Sequence, residues 1–135
     1  MMETYVVDTV AFLTYLTDQL PKNVNNLFKK AENKLIKLLL PSIALGETLY
    51  TIYKGREIFG KEISIEKIEL IFEILQYKES IELIDLNLDG WRIFNELNIP
   101  ELHDRMIVAI FHYYNASAII TPDSEISSAV KTIWD

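Results

Sequence analysis

Short runs of β-forming residues alternate along this chain with longer segments of helical period, and that alternation restricts the fold more than any other feature. Thr4-Tyr5-Val6-Val7 is the first such run and reads as a strand over Glu3 to Asp8. Phe12, Leu13, Leu16 and Leu20 then recur at helical spacing as far as Pro21. Leu27, Phe28, Ala31, Leu35 and Leu38 form a second stripe, with Lys29, Lys30, Asn33, Lys34 and Lys37 on the other faces. Leu39 to Ser42 is a short apolar connection or strand broken by Pro41, and Ser42 is placed to cap the next helix. Gly55 and Gly60 mark that helix's end and the following turn. Next come a helix over Ile65 to Tyr77 capped by Ser64, a strand over Ile81 to Leu86, and a helix opened by Asn87 or Asp89. Pro100 suits the first turn of a helix running to about Tyr114. Ala118 to Thr121 reads as a third strand, Asp123 to Val130 as a short helix, and Lys131 to Trp134 as a last strand. Strands alternating with helices predict a parallel sheet covered on both faces: an α/β fold, built as a three-layer α/β/α sandwich.

A length of 135 residues, half of them hydrophobic, suits one domain over 1–135 with a full core. No repeat, low-complexity tract or linker divides it. The absence of cysteine excludes disulfides and thiolate metal sites, and with only His103 and His112 the chain is a poor candidate for structural zinc. Any metal should be hard and oxygen-ligated. The longest apolar stretch, Leu35 to Tyr53, is interrupted by Lys37, Pro41 and Glu47, so no membrane-spanning helix is expected. Glu3 and Asp8 stand where a secretory leader would be basic, so the expected location is the cytoplasm. A net charge of -7 speaks against a protein that coats nucleic acid non-specifically. It leaves open an enzyme that uses metal ions to approach a phosphate.

Four acids stand at the edges of apolar elements. Asp8 closes the first strand, Asp123 follows the third, Asp104 opens an oily helix, and Glu47 lies beside Ile43 and Ala44. In open α/β sheets, ligands bind beyond the carboxyl ends of the strands, where helices also begin. Asp8, Asp104 and Asp123 are therefore expected at one edge, with Glu47 reaching it past the small residues Ala44 and Gly46. Each acid also has a local reading: Asp8 and Asp123 as helix N-caps, Asp104 as a partner of a helix dipole, Glu47 as a solvated helix residue. As a set they need more. Two carboxylates about 4 Å apart repel by roughly 4 kcal/mol at an effective dielectric of 20. A cation or shared protons must relieve a cluster of four.

The residues around these acids resemble the motifs of the PIN-domain ribonucleases. Tyr5-Val6-Val7-Asp8-Thr9 resembles the first, Pro41 to Tyr50 around Glu47 the second, and Leu102-His103-Asp104-Arg105-Met106-Ile107-Val108-Ala109 the third. Thr121-Pro122-Asp123-Ser124-Glu125-Ile126 resembles the fourth. The resemblance covers essentially the whole chain and implies a parallel sheet flanked by helices with an acidic Mg²⁺ or Mn²⁺ site. Asp8, Glu47, Asp104 and Asp123 carry over as the catalytic, metal-binding quartet, and Thr9 and Thr121 as supporting hydroxyls. Val10 stands where many relatives have a small polar residue, Pro122 stiffens the fourth motif, and Glu125 is a spare acid beside Asp123.

On this reading the activity is hydrolysis of RNA phosphodiester bonds by a metal-dependent endoribonuclease, the toxin of a toxin–antitoxin pair, with an antitoxin and a second copy of the chain as partners. A stand-alone RNA-processing nuclease and a non-catalytic binding module are the alternatives. Asp8 and Asp104 are the expected direct ligands, with Glu47 either binding through water or positioning the nucleophile and Asp123 completing the set. Substrate contacts are expected from Thr9, Thr121, Lys54 (seven residues after Glu47 on the same helix face) and Arg105, with Arg56 and Arg92 as further candidates. His103 reads as a local hydrogen-bonding residue.

Overall fold

The computed structural model describes residues 2–77 and 79–135. It places β1 (Thr4–Val7) at the centre of a five-stranded sheet. β2 (Lys37–Pro41) pairs with β1 on one side and β6 (Ala118–Ile120) on the other. β5 (Ile81–Ile84) and β7 (Thr132–Ile133) form the edges, and every pairing is parallel. The helices between the strands are α1 (Thr9–Leu16), α2 (Lys22–Glu32), α3 (Ser42–Tyr53), α4 (Ile68–Tyr77), α5 (Leu88–Glu96), α6 (Leu102–Tyr113) and α7 (Ser124–Ala129). A small hairpin of β3 (Glu57–Ile58) and β4 (Lys61–Glu62) stands apart from the sheet.

Strand side chains alternate between two cores, as a period of two requires. Val7, Leu38, Leu40 and Ile120 pack with Phe12, Phe28 and Ile71 from α1, α2 and α4. Val6, Leu39 and Ile119 pack with Ile107 and Ile110 of α6 and Ile126 of α7. The strands therefore carry apolar residues on both faces, and the three-layer α/β/α sandwich follows. Burying each large apolar side chain contributes about 1.5–3 kcal/mol. Among the described residues no helix is long and apolar enough to cross a membrane.

Two helices are shorter than their periodicity predicts. α1 stops at Leu16 and α2 at Glu32, so neither Leu20, Leu35 nor Leu38 is helical. Leu35 is exposed in the connection, and Leu38 is fully buried in β2. Both helices end in a Schellman motif without glycine. Asp18 and Lys34 take the left-handed conformation at φ 56 and 63, and the next amides close back to Thr14 and Lys30.

Two further expectations shift. Pro41, the last residue of β2, stands at the N-cap of α3, and Ser42 instead donates to Asp85 Oδ1 at 2.9 Å. α6 begins after Glu101 rather than at Pro100. Elsewhere Asp8, Ser64, Asn87 and Asp123 cap helices with their own side chains.

Candidate active site

The strand order gives the site its place. From β1 the chain steps outward through β2 to β5, then returns to the opposite side of β1 as β6 and β7. The direction of winding reverses between β1 and β6, and a crevice opens there beyond their carboxyl ends. Asp8 follows β1 and Asp123 follows β6.

Asp8 keeps an extended backbone, φ -84 and ψ 178, so it continues the alternation and shares the side of Val6, the face covered by α6. Its Oδ1 accepts from the Ala11 amide at 2.8 Å, capping α1, and its Oδ2 accepts from the Thr121 hydroxyl. The Thr121 oxygen also accepts from the Asp123 amide at 3.0 Å. One buried hydroxyl thus ties the two strand ends together. Asp123 in turn caps α7, with Oδ1 accepting from Glu125 and Ile126 at 2.8 and 3.0 Å.

The other two acids come from helices. Glu47 projects from the middle of α3, where Ala44 and Thr48 are fully buried and seat the helix closely. Thr9 Oγ1 donates to Glu47 Oε1 at 2.6 Å, and His103 Nδ1 to Oε2 at 2.7 Å. Asp104 sits in the first turn of α6, and its carboxylate accepts no hydrogen bond from the described residues. Glu101 caps that turn by accepting from the His103 and Asp104 amides.

All four acids line one cavity of about 290 Å³, together with Glu101, His103 and Thr9. No lysine or arginine is among the residues lining it. The electrostatic consequence appears at two carboxyls. Burial raises Asp8 to about 6, against the lowering effect of its bonds from Thr121 and Ala11, with Asp123 and Asp104 adding to the rise. Asp104 is also raised to about 6, by desolvation and then by the charges of Asp123, Glu101, Glu125 and Glu47. A set of hard carboxylate oxygens with no facing cation suits Mg²⁺ or Mn²⁺ chemically. Among the described residues, however, no three His, Asp or Glu side chains form a ready-made cage for an ion. The donors converge around the cavity without closing on one point.

The remaining sequence candidates divide. Thr9 and Thr121 meet carboxylates and act on their orientation. Arg105, expected to contact substrate, is engaged by α5. Its guanidinium donates to the carbonyls of Phe94 and Asn95 at 2.8 and 3.3 Å and lies over the Phe94 ring, capping the end of α5. Glu125 is exposed and acts on Asp104 only through its charge. Lys54 stands over the Tyr50 ring, outside the acidic cavity. Arg92 is exposed on α5, away from that cavity. Sequence reasoning missed Glu101 as a fifth acid at the cavity, because glutamate is not among the usual N-cap residues. It also missed the bond that fastens His103 to Glu47, which nothing local announces.

Comparison with known proteins agrees with this architecture. The PIN domain family model matches residues 5–131. A chain of the VapBC2 complex of Rickettsia felis, crystallised with a DNA fragment from its promoter, superposes with TM-score 0.70 at 20% identity, covering 98% of this chain and 99% of that one. A chain of the DNA-bound VapBC complex of Salmonella typhimurium gives TM-score 0.66 at 16% identity, with 98% of each chain covered. A domain of a functionally unknown protein from Methanocaldococcus jannaschii gives 0.55 at 17% identity, covering 98% of this chain and 91% of that one. No curated protein sequence matches.

Proposed function

This chain belongs to the PIN domain family, and from that premise we propose that it is a metal-dependent endoribonuclease, the toxin component of a type II toxin–antitoxin pair. The observation that carries the reading is the meeting of Asp8, Glu47, Asp104 and Asp123, from four distant segments, around one cavity without a balancing cation. The fold shared with chains of two VapBC complexes supports the toxin role and an antitoxin partner. A homodimer acting on RNA in the cytoplasm completes the proposal.

The residues divide the work by how tightly they are held. Asp104, whose oxygens accept no hydrogen bond from the described residues, and Asp8, fixed by Ala11 and Thr121, would hold the ion directly. Asp123 keeps Oδ2 clear of its capping bonds and would complete the set. When bound, Mg²⁺ or Mn²⁺ supplies Lewis acidity and lowers the pKa of a coordinated water. Glu47, gripped by Thr9 and His103, keeps a second lone pair on each oxygen and would orient the attacking water in line with the scissile phosphate. The pocket's own negative charge repels a phosphodiester, so substrate approach is coupled to cation loading.

The test is cleavage of total RNA with Mg²⁺ or Mn²⁺ and with EDTA, beside Asp8→Asn. Metal-dependent cutting lost in the variant is expected. Cutting that survives both EDTA and the substitution overturns the assignment. A partner gene for a small DNA-binding protein next to this one separates the toxin from a stand-alone RNA-processing enzyme.

A further inference from the structure

A second groove of about 370 Å³ adjoins the acidic cavity and shares Glu47, Thr51 and His103 with it. Its remaining wall includes Gly46, Tyr50 and Arg56. Three features of this groove have no explanation in the packing. Tyr50 is 55% exposed one helical turn beyond Glu47. Lys54 Nζ and Arg56 Cζ lie 5.3 and 5.6 Å from the centre of its ring, and neither cation forms an ion pair among the described residues. Gly46, inside α3, has nothing within 4 Å of where a Cβ would stand. A mid-helix glycine is destabilising relative to alanine, so packing gives no reason for its presence.

Arg56 is held in place by backbone. Gly55, at φ 64, ends α3 in a Schellman motif in which the Gly55 amide donates to Ile52 at 3.0 Å and the Arg56 amide to Thr51 at 3.2 Å. The chain turns back sharply there and returns a guanidinium to the tyrosine it has just passed.

The geometry points to a binding subsite for one unpaired base of single-stranded RNA, stacked on Tyr50 with Lys54 and Arg56 on the flanking phosphates and Gly46 leaving room for the nucleotide. An aromatic face beside cations suits any base and favours a strand whose bases are unstacked. A duplex presents no free base face to it. This inference deepens the ribonuclease reading and rests on it for the position of the scissile phosphate.

The test titrates a short fluorescein-labelled oligouridylate, with Mg²⁺ present, into the full chain carrying Asp104→Asn, so that binding is read without cleavage. Adding Tyr50→Ala weakens binding roughly tenfold, while Tyr50→Phe leaves it unchanged. Lys54→Gln with Arg56→Gln flattens the slope of log affinity against log salt by about 1.4, which Tyr50→Ala does not alter. Gly46→Ala raises the melting temperature by about 2–4 °C and weakens binding, a pairing that damage to the fold does not produce. Equal affinity after Tyr50→Ala, or a duplex of the same length bound as tightly, overturns the subsite. Metal-dependent cleavage by the natural chain together with that equal affinity overturns the subsite alone. Tyr50-dependent binding without any cleavage overturns the nuclease reading alone.

Discussion

His103 Nδ1 lies 2.7 Å from Glu47 Oε2, joining the first turn of α6 to the middle of α3. The side chain next to Asp104 therefore sets the orientation of the acid on the facing helix. Removing the partner that orients a metal-site carboxylate typically costs about 10–100-fold in metal affinity or activity. His103→Ala is expected to lose Mn²⁺ affinity and cleavage within that range while keeping its melting temperature. Calorimetric titration with Mn²⁺ beside a thermal melt checks it. Undiminished affinity would show that Glu47 needs no such support.

Thr121→Val should be costly out of proportion to its size. The substitution leaves one oxygen of buried Asp8 and the Asp123 amide without their partner. A buried polar group left unsatisfied costs about 1–3 kcal/mol. Urea denaturation of metal-free protein at neutral pH is expected to show a loss of that order, with Thr121→Ser close to the parent.

The pH dependence of stability should run opposite to that of a salt-bridged carboxylate. Asp8 and Asp104 rise from 3.8 to about 6 on folding. Between those values the folded form binds more protons than the unfolded chain, so their contribution falls as pH rises. It is full below about pH 4 and lost above about pH 6. Asp104→Asn removes one of the two groups and relieves the other. Its melting temperature should exceed that of the parent at pH 7, and the gap should close towards pH 4. Added Mn²⁺ should raise the parent's melting temperature more at pH 7 than at pH 5, since protons compete for the same oxygens.

Lys34→Gly should stabilise the fold. Lys34 occupies the left-handed region at φ 63, where a side chain costs roughly 1–2 kcal/mol and glycine pays no steric cost. The added freedom of glycine in the unfolded chain offsets part of that. A net gain of about 0.5–1 kcal/mol is expected in denaturant titration, with activity unchanged because the residue is exposed between α2 and β2.

The same position explains where the sequence was hard to read. Ends of α1 and α2 carry Asp18 and Lys34 in place of the usual glycine, so the apolar period runs on to Pro21 through Leu20 in the first case and through Leu35 and Leu38 in the second. Leu38 belongs to a strand by virtue of Tyr5 and Ile81 on either side, partners that a local window does not contain. The acids were legible because each adjoins an apolar run that marks a strand end or a helix start. What their side chains grasp was not. Arg105 and Lys54 look alike on paper as cations near acids; only the placement of the α5 carbonyls and the Tyr50 ring separates them.

β1 is made early, yet one of its two neighbours is β6, which arrives only after most of the chain has been synthesised. Until then Asp8 has neither the Thr121 hydroxyl nor the nearby Asp123. A polypeptide still growing on the ribosome therefore carries an incomplete set of acids until Asp123 has been added.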